Sequence, residues 1–107
     1  MNLQEIIDKI VVHYSFTPES YPELTGKSRD EVMKFAVRHS ALHMAKSLGK
    51  IAAFAEAQDH GDLAGEKLLE EGMVKMLINV LRLAELQGLK ADELLGLVDG
   101  YLKPKRL

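Results

Sequence analysis

From Ser28 to Gln58 the chain runs without a proline and with a single glycine, Gly49. The stretch opens on Ser28-Arg29-Asp30-Glu31, the spacing of a capping box. There the serine hydroxyl accepts the Glu31 N–H and the Glu31 carboxylate reaches back to the Ser28 N–H. Asp30 and Glu31 also suit the positive end of a helix. The pattern predicts one continuous helix, about 46 Å long at ~1.5 Å per residue. In a chain of 107 residues, such a rod dictates the rest, because the other elements must pack along it.

The remaining segments also read as helices. Leu3, Ile6, Ile7, Ile10 and Val11 follow helical spacing and predict a helix over residues 3–14. Residues 15–27, with Pro18, Pro22 and Gly26, form a loop that Phe16 and Tyr21 are expected to pin down by packing. "DHGDLAG" breaks the chain at Gly61 and Gly65. A third helix follows over about 66–87, with Leu69, Met73, Met76, Leu77, Val80, Leu83 and Ala84 in one apolar stripe. Gly88 is placed as the left-handed residue that ends it. A fourth helix covers about 91–102, with Asp92 and Glu93 in its first turn and Lys103-Pro104 closing it. No strand pattern, repeat or low-complexity tract occurs. The expectation is an all-α, four-helix bundle-like fold with two long central helices. It forms one domain over residues 1–107, with an N-terminal helix and loop in 1–27 and the core helices in 28–103. Small residues dominate Ala45 to Ala57, which invites close approach of another helix. Gly49 is expected to mark where a neighbour crosses.

Composition excludes several functions. Apolar residues make up 47%, enough for a core, and the net charge of −2 does not suit a nucleic-acid binder. No cysteine is present, so disulfides, thiolate metal sites and cysteine nucleophiles are excluded, which fits a cytoplasmic protein. The N-terminus, interrupted by Glu5 and Asp8, does not read as a signal peptide, and no apolar run is long enough for a membrane span. Apolar stripes on several sides of a small chain lead us to expect a homodimer or tetramer.

The polar exceptions sit on the long helix. At ~100° per residue, His39, His43, Lys46 and Lys50 fall on one face. Lys75, Asn79 and Arg82 form a second polar strip on the third helix, positioned to face the first. Together, His39, His43, Lys46, Lys50, Lys75 and Asn79 are candidates to hold an anion such as a nucleotide phosphate. The competing reading is a solvated face or a partner contact. His39 and His43 have the i, i+4 spacing of metal ligands, but two histidines make an incomplete shell. Glu56, Asp59, His60 and Asp62 cluster near the break, with Glu66, Glu70 and Glu71 beyond it; a solvated acidic turn is the favoured explanation, ahead of a displaced Mg²⁺ site. By helical angle, Glu70 and Glu71 are expected to point away from the face of Lys75 and Asn79.

"HMAKSLGKIAAFAEA", a glycine-containing break and "EEGMVKMLINVLRLAELQGLKADELLGLV" together resemble the MazG-like family of all-α nucleoside triphosphate pyrophosphohydrolases, over roughly residues 32–103. The resemblance implies paired carboxylates, three residues apart on each of two helices, that bind Mg²⁺ and activate water. On the positions that match, those pairs become Ser47 with Lys50 and Gly72 with Lys75, so the acidic motif is absent. Three functions follow as expectations. The first is a catalytically silent member that binds a nucleotide or other phosphate without a cofactor. The second is an active Mg²⁺-dependent enzyme with displaced ligands among Glu56, Asp59, Glu70 and Glu71. The third is an oligomeric scaffold or protein-interaction module.

Overall fold

The computed structural model describes residues 1–61 and 65–104. Among them the chain is all-α: α1 (Leu3–His13), α2 (Arg29–Asp59), α3 (Glu66–Leu86) and α4 (Ala91–Leu102), with a 3₁₀ turn at Pro22–Leu24 between α1 and α2. Asp62 of the acidic cluster lies outside the described residues, as do residues 105–107. No described helix is long and apolar enough to cross a membrane.

Local chemistry sets each boundary. The Asn2 side chain accepts the Glu5 N–H at 2.9 Å and starts α1. Both halves of the Ser28–Glu31 capping box are present, so α2 begins where the sequence places it. Gly61 (φ 75°) and Gly88 (φ 79°) take the left-handed conformation after α2 and α3. At the end of α3 the Leu89 N–H donates to the Ala84 carbonyl at 2.9 Å, the long hydrogen bond of a Schellman turn. Gln4 of α1 accepts the Ala91 N–H at 2.8 Å, so α1 itself caps the first turn of α4.

α2 and α3 form a long antiparallel pair. Ile7, Ile10, Leu81 and Ala91 make a small core joining α1, α3 and α4, with Leu3, Ile6, Ile78 and Leu94 packed against it. The loop is pinned as expected. Phe16 stacks on Tyr21, their centroids 5.4 Å apart, and Tyr21 meets Phe35 of α2 edge-on at 5.3 Å.

One packing expectation needs correction. A Cβ on Gly49 would meet nothing within 4 Å beyond its own stretch of helix, and the glycine at the α2–α3 crossing is Gly72. A Cβ on Gly72 would stand 2.8 Å from both the Ser47 carbonyl oxygen and Ile51 Cγ1. Within one chain the apolar stripes are only partly covered. On α2 the residues Leu42, Ala45, Leu48, Gly49, Ala52 and Ala53 are exposed, and on α3 so are Met73, Leu77 and Val80. The reason is geometric: α2 carries apolar side chains around most of its middle, whereas α3 can cover only one side of it.

Candidate functional site

The antiparallel pairing of α2 and α3 brings their polar strips together. His39, His43, Lys46, Lys50, Lys75 and Asn79 all line one pocket of about 370 Å³. Tyr21 and Arg82 close one end, and Ser47 and Ile78 contribute to the floor. Tyr14, just after α1, also lines it, although sequence reading gave it no role. It is one aromatic at a helix end, and only tertiary contact brings it there.

Arg82 is the most unusual group. It is only 6% exposed, yet none of the described carboxylates lies within salt-bridge distance of it. Its guanidinium carbon sits 3.6 Å from the centroid of the Phe16 ring, a close cation–π contact. One terminal nitrogen donates to the Tyr21 hydroxyl at 3.0 Å, and Nε is buried without a partner. The Tyr21 hydroxyl, accepting from Arg82, is also 3.2 Å from His39 Nε2 and can donate its proton there. Burial holds His39 below the usual imidazole pKa; repulsion from His43 and Arg82 adds to this, and Glu23 opposes it. A neutral His39 that accepts from Tyr21 fits that environment. The His39 and His43 rings lie 4.4 Å apart.

The other end is built around Glu71. Its Oε1 lies 2.6 Å from Lys50 Nζ across the helix pair and 2.6 Å from Lys75 Nζ one turn along α3. This corrects the expectation that Glu71 faces away. Residues four apart share a helix face, and two ammonium groups draw the carboxylate inward. Glu70 is exposed, as are Glu56 and Asp59 on α2. The four displaced-ligand candidates therefore do not converge, and no group of three or more His, Asp or Glu side chains able to hold a metal occurs among the described residues. Asn79 is buried, and its amide donates to the Lys75 carbonyl at 2.8 Å, which stiffens the α3 wall. Ser47 donates to the His43 carbonyl at 3.0 Å and so presents no free hydroxyl proton.

The two lysines hold the Glu71 carboxyl well below its ordinary 4.5, at about 2, with hydrogen bonds from Lys50 first and from Lys75 next. The same contact raises the Lys75 ammonium. A depressed carboxylate contributes stability in full above the unfolded value of 4.5 and loses it as pH falls through about 2. Glu71 stays 41% exposed, so solvent screens the contribution and keeps it small. Melting curves of the wild type and Glu71→Gln should therefore differ at pH 6 and converge towards pH 2. A constant gap across that range would exclude the bridge as the source.

With four permanent cations in its lining and one carboxylate bridging two of them, the pocket is net positive. That charge is set against a chain whose formal net charge is −2. Such a cavity can hold a multivalent anion by direct charge-assisted hydrogen bonds. No family model, no curated protein and no solved structure matches this chain.

Proposed function

We propose that the α2–α3 pocket binds a phosphate-bearing anion, a nucleotide or another phosphate. Lys46, Lys50, Lys75 and Arg82 hold it directly. The chain is on this reading a MazG-like protein that binds such a ligand without hydrolysing it. The observation that carries the reading is Arg82, a buried cation facing the pocket with no carboxylate partner among the described residues and a free Nε. A buried charge without a counter-charge is costly, and a ligand anion would supply the missing partner. The resemblance adds to this. The positions where the MazG-like family would place its carboxylates carry Ser47, Lys50, Gly72 and Lys75, and two of these put ammonium groups in the pocket lining. A fixed positive charge there neutralises phosphate as a divalent cation would, but it does not generate a metal-bound hydroxide.

Thermal unfolding in metal-free buffer tests the reading. Inorganic pyrophosphate and a panel of nucleoside di- and triphosphates should raise the melting temperature, by an amount equivalent to about 2.7 kcal/mol at a hundredfold excess over Kd. Lys46→Glu combined with Lys50→Glu should abolish the rise. If no phosphate compound shifts the melting temperature, the reading is wrong. Release of phosphate or pyrophosphate that requires Mg²⁺ or Mn²⁺ would remove its catalytically silent half.

A further inference from the structure

The cations of the pocket stand at three levels along the helix pair, and the last level already holds an anion. The Tyr21 hydroxyl joins His39 of α2 to Arg82 of α3 and marks one end. The Lys50–Glu71 bridge marks the other, about 16 Å along both helices at ~1.5 Å per residue. In this antiparallel register Lys46 and Lys75 share the level between. Neither Arg82 nor Lys46 forms an ion pair among the described residues. At the far end Glu71 Oε1 accepts from Lys50 and from Lys75, each at 2.6 Å. Both lysines line the cavity and Glu71 does not. The carboxylate therefore grips two of the pocket's ammonium groups from its rim. It also draws the Lys75 head one turn along α3, away from the level of Lys46.

We infer that Glu71 sits in place of a ligand's distal phosphoryl group, and that an anion of two or more linked phosphates displaces it from Lys50 and Lys75 on binding. This role rests on the phosphate reading of the pocket and adds the residue that tunes affinity by ligand length. A single phosphate beside Arg82 lies too far along the helices to reach the Lys50 level. Free in solution, it meets at that level a carboxylate already tethered within hydrogen-bond distance. A phosphate chain anchored at Arg82 presents its further groups to the Lys46–Lys75 level and then to Lys50, so it competes as a tethered anion too. It also carries more charge than the monovalent carboxylate it replaces.

The bridge is built to open. Glu71 is 41% exposed and Lys75 52%, so solvent weakens the pair and receives the released carboxylate. Residues four apart on α3 can separate by side-chain rotation alone, with neither helix moving. In the free protein the two lysines hold the Glu71 carboxyl at about 2. Released beside a bound anion, it loses the cause of that depression.

Calorimetric titration of the full chain in metal-free buffer, with inorganic tripolyphosphate and orthophosphate as probes, tests this role. Glu71→Gln should bind tripolyphosphate about five- to tenfold more tightly than the wild type. Its first orthophosphate site should change less than about twofold, because Arg82 lies beyond a Debye length at 0.15 M salt. A second, weaker orthophosphate site should appear on the freed lysines. Glu70→Gln removes the same charge from an exposed neighbour outside the bridge and should leave tripolyphosphate affinity within about twofold. In the wild-type complex, carbon NMR of the Glu71 carboxyl should show it titrating near its ordinary 4.5 instead of about 2. Weaker tripolyphosphate binding by Glu71→Gln would mean that Glu71 positions the lysines for the ligand, and would overturn the inference. So would equal affinities in Glu71→Gln and Glu70→Gln, or a carboxyl that stays at about 2 in the complex. In those cases tripolyphosphate still binds and the phosphate reading stands; binding to neither the wild type nor Glu71→Gln would remove both.

Discussion

Arg82→Met is expected to cut the pyrophosphate-induced rise in melting temperature by half or more while leaving the ligand-free protein as stable as before, or more so. The two halves of this outcome have different causes. In the ligand-free chain the guanidinium is desolvated against Phe16, keeps one hydrogen bond to Tyr21 and finds no carboxylate among the described residues. Replacing a buried, uncompensated ion by an apolar side chain of similar length is commonly neutral or stabilising. Methionine can lie along the Phe16 ring with a favourable sulfur–aromatic contact. In the liganded protein the same group would make charge-assisted hydrogen bonds to phosphate oxygens, worth about 1.5–3 kcal/mol, so binding should weaken by about ten- to a hundredfold. Paired calorimetric titrations and melting curves separate the alternatives. If Arg82 instead holds the loop aromatics together, the variant melts several degrees lower in the absence of ligand and its residual ligand response is intact. That result would remove the main support for the anion pocket.

Much of the architecture could be read from local sequence chemistry. The capping box at Ser28, the glycine after α3 and the apolar periodicity of α1 and α3 each act within a few residues, and each boundary falls within one or two residues of its expected place. The two polar strips were legible for the same reason, since helical periodicity fixes which side chains share a face. The burial of Arg82 was not. A polar strip ending in arginine reads as solvated until the loop carrying Phe16 and Tyr21 folds over it, and that closure depends on contacts many residues apart in the chain. Glu71 was misjudged because its orientation depends on Lys50 from the other helix as well as on its own helical angle. The α2 face was legible as apolar, and it raised the expectation of an oligomer, but periodicity says that a face suits burial without saying by what.

Gly72→Ala should lower stability by about 1–3 kcal/mol, a fall in melting temperature of about 5–15 °C for a domain of this size. Ordinarily, glycine to alanine inside a helix stabilises by up to about 1 kcal/mol, since alanine has the higher helix propensity. Gly49→Ala, at a position with open space around it, should show that gain. At Gly72 the new methyl would meet the Ser47 carbonyl oxygen and Ile51 Cγ1, each at 2.8 Å. The isoleucine can change rotamer, but the carbonyl belongs to the backbone of α2 and cannot retreat unless the helices separate. Separation at this level also stretches the Lys50–Glu71 bridge one turn away and widens the pocket mouth between Lys50 and Lys75. Gly72→Ala should therefore weaken phosphate binding along with stability, whereas Gly49→Ala should leave the affinity unchanged. Equal melting temperatures for the two variants would mean that α2 and α3 do not cross at Gly72. The wall-to-wall spacing on which the pocket depends would then be wrong.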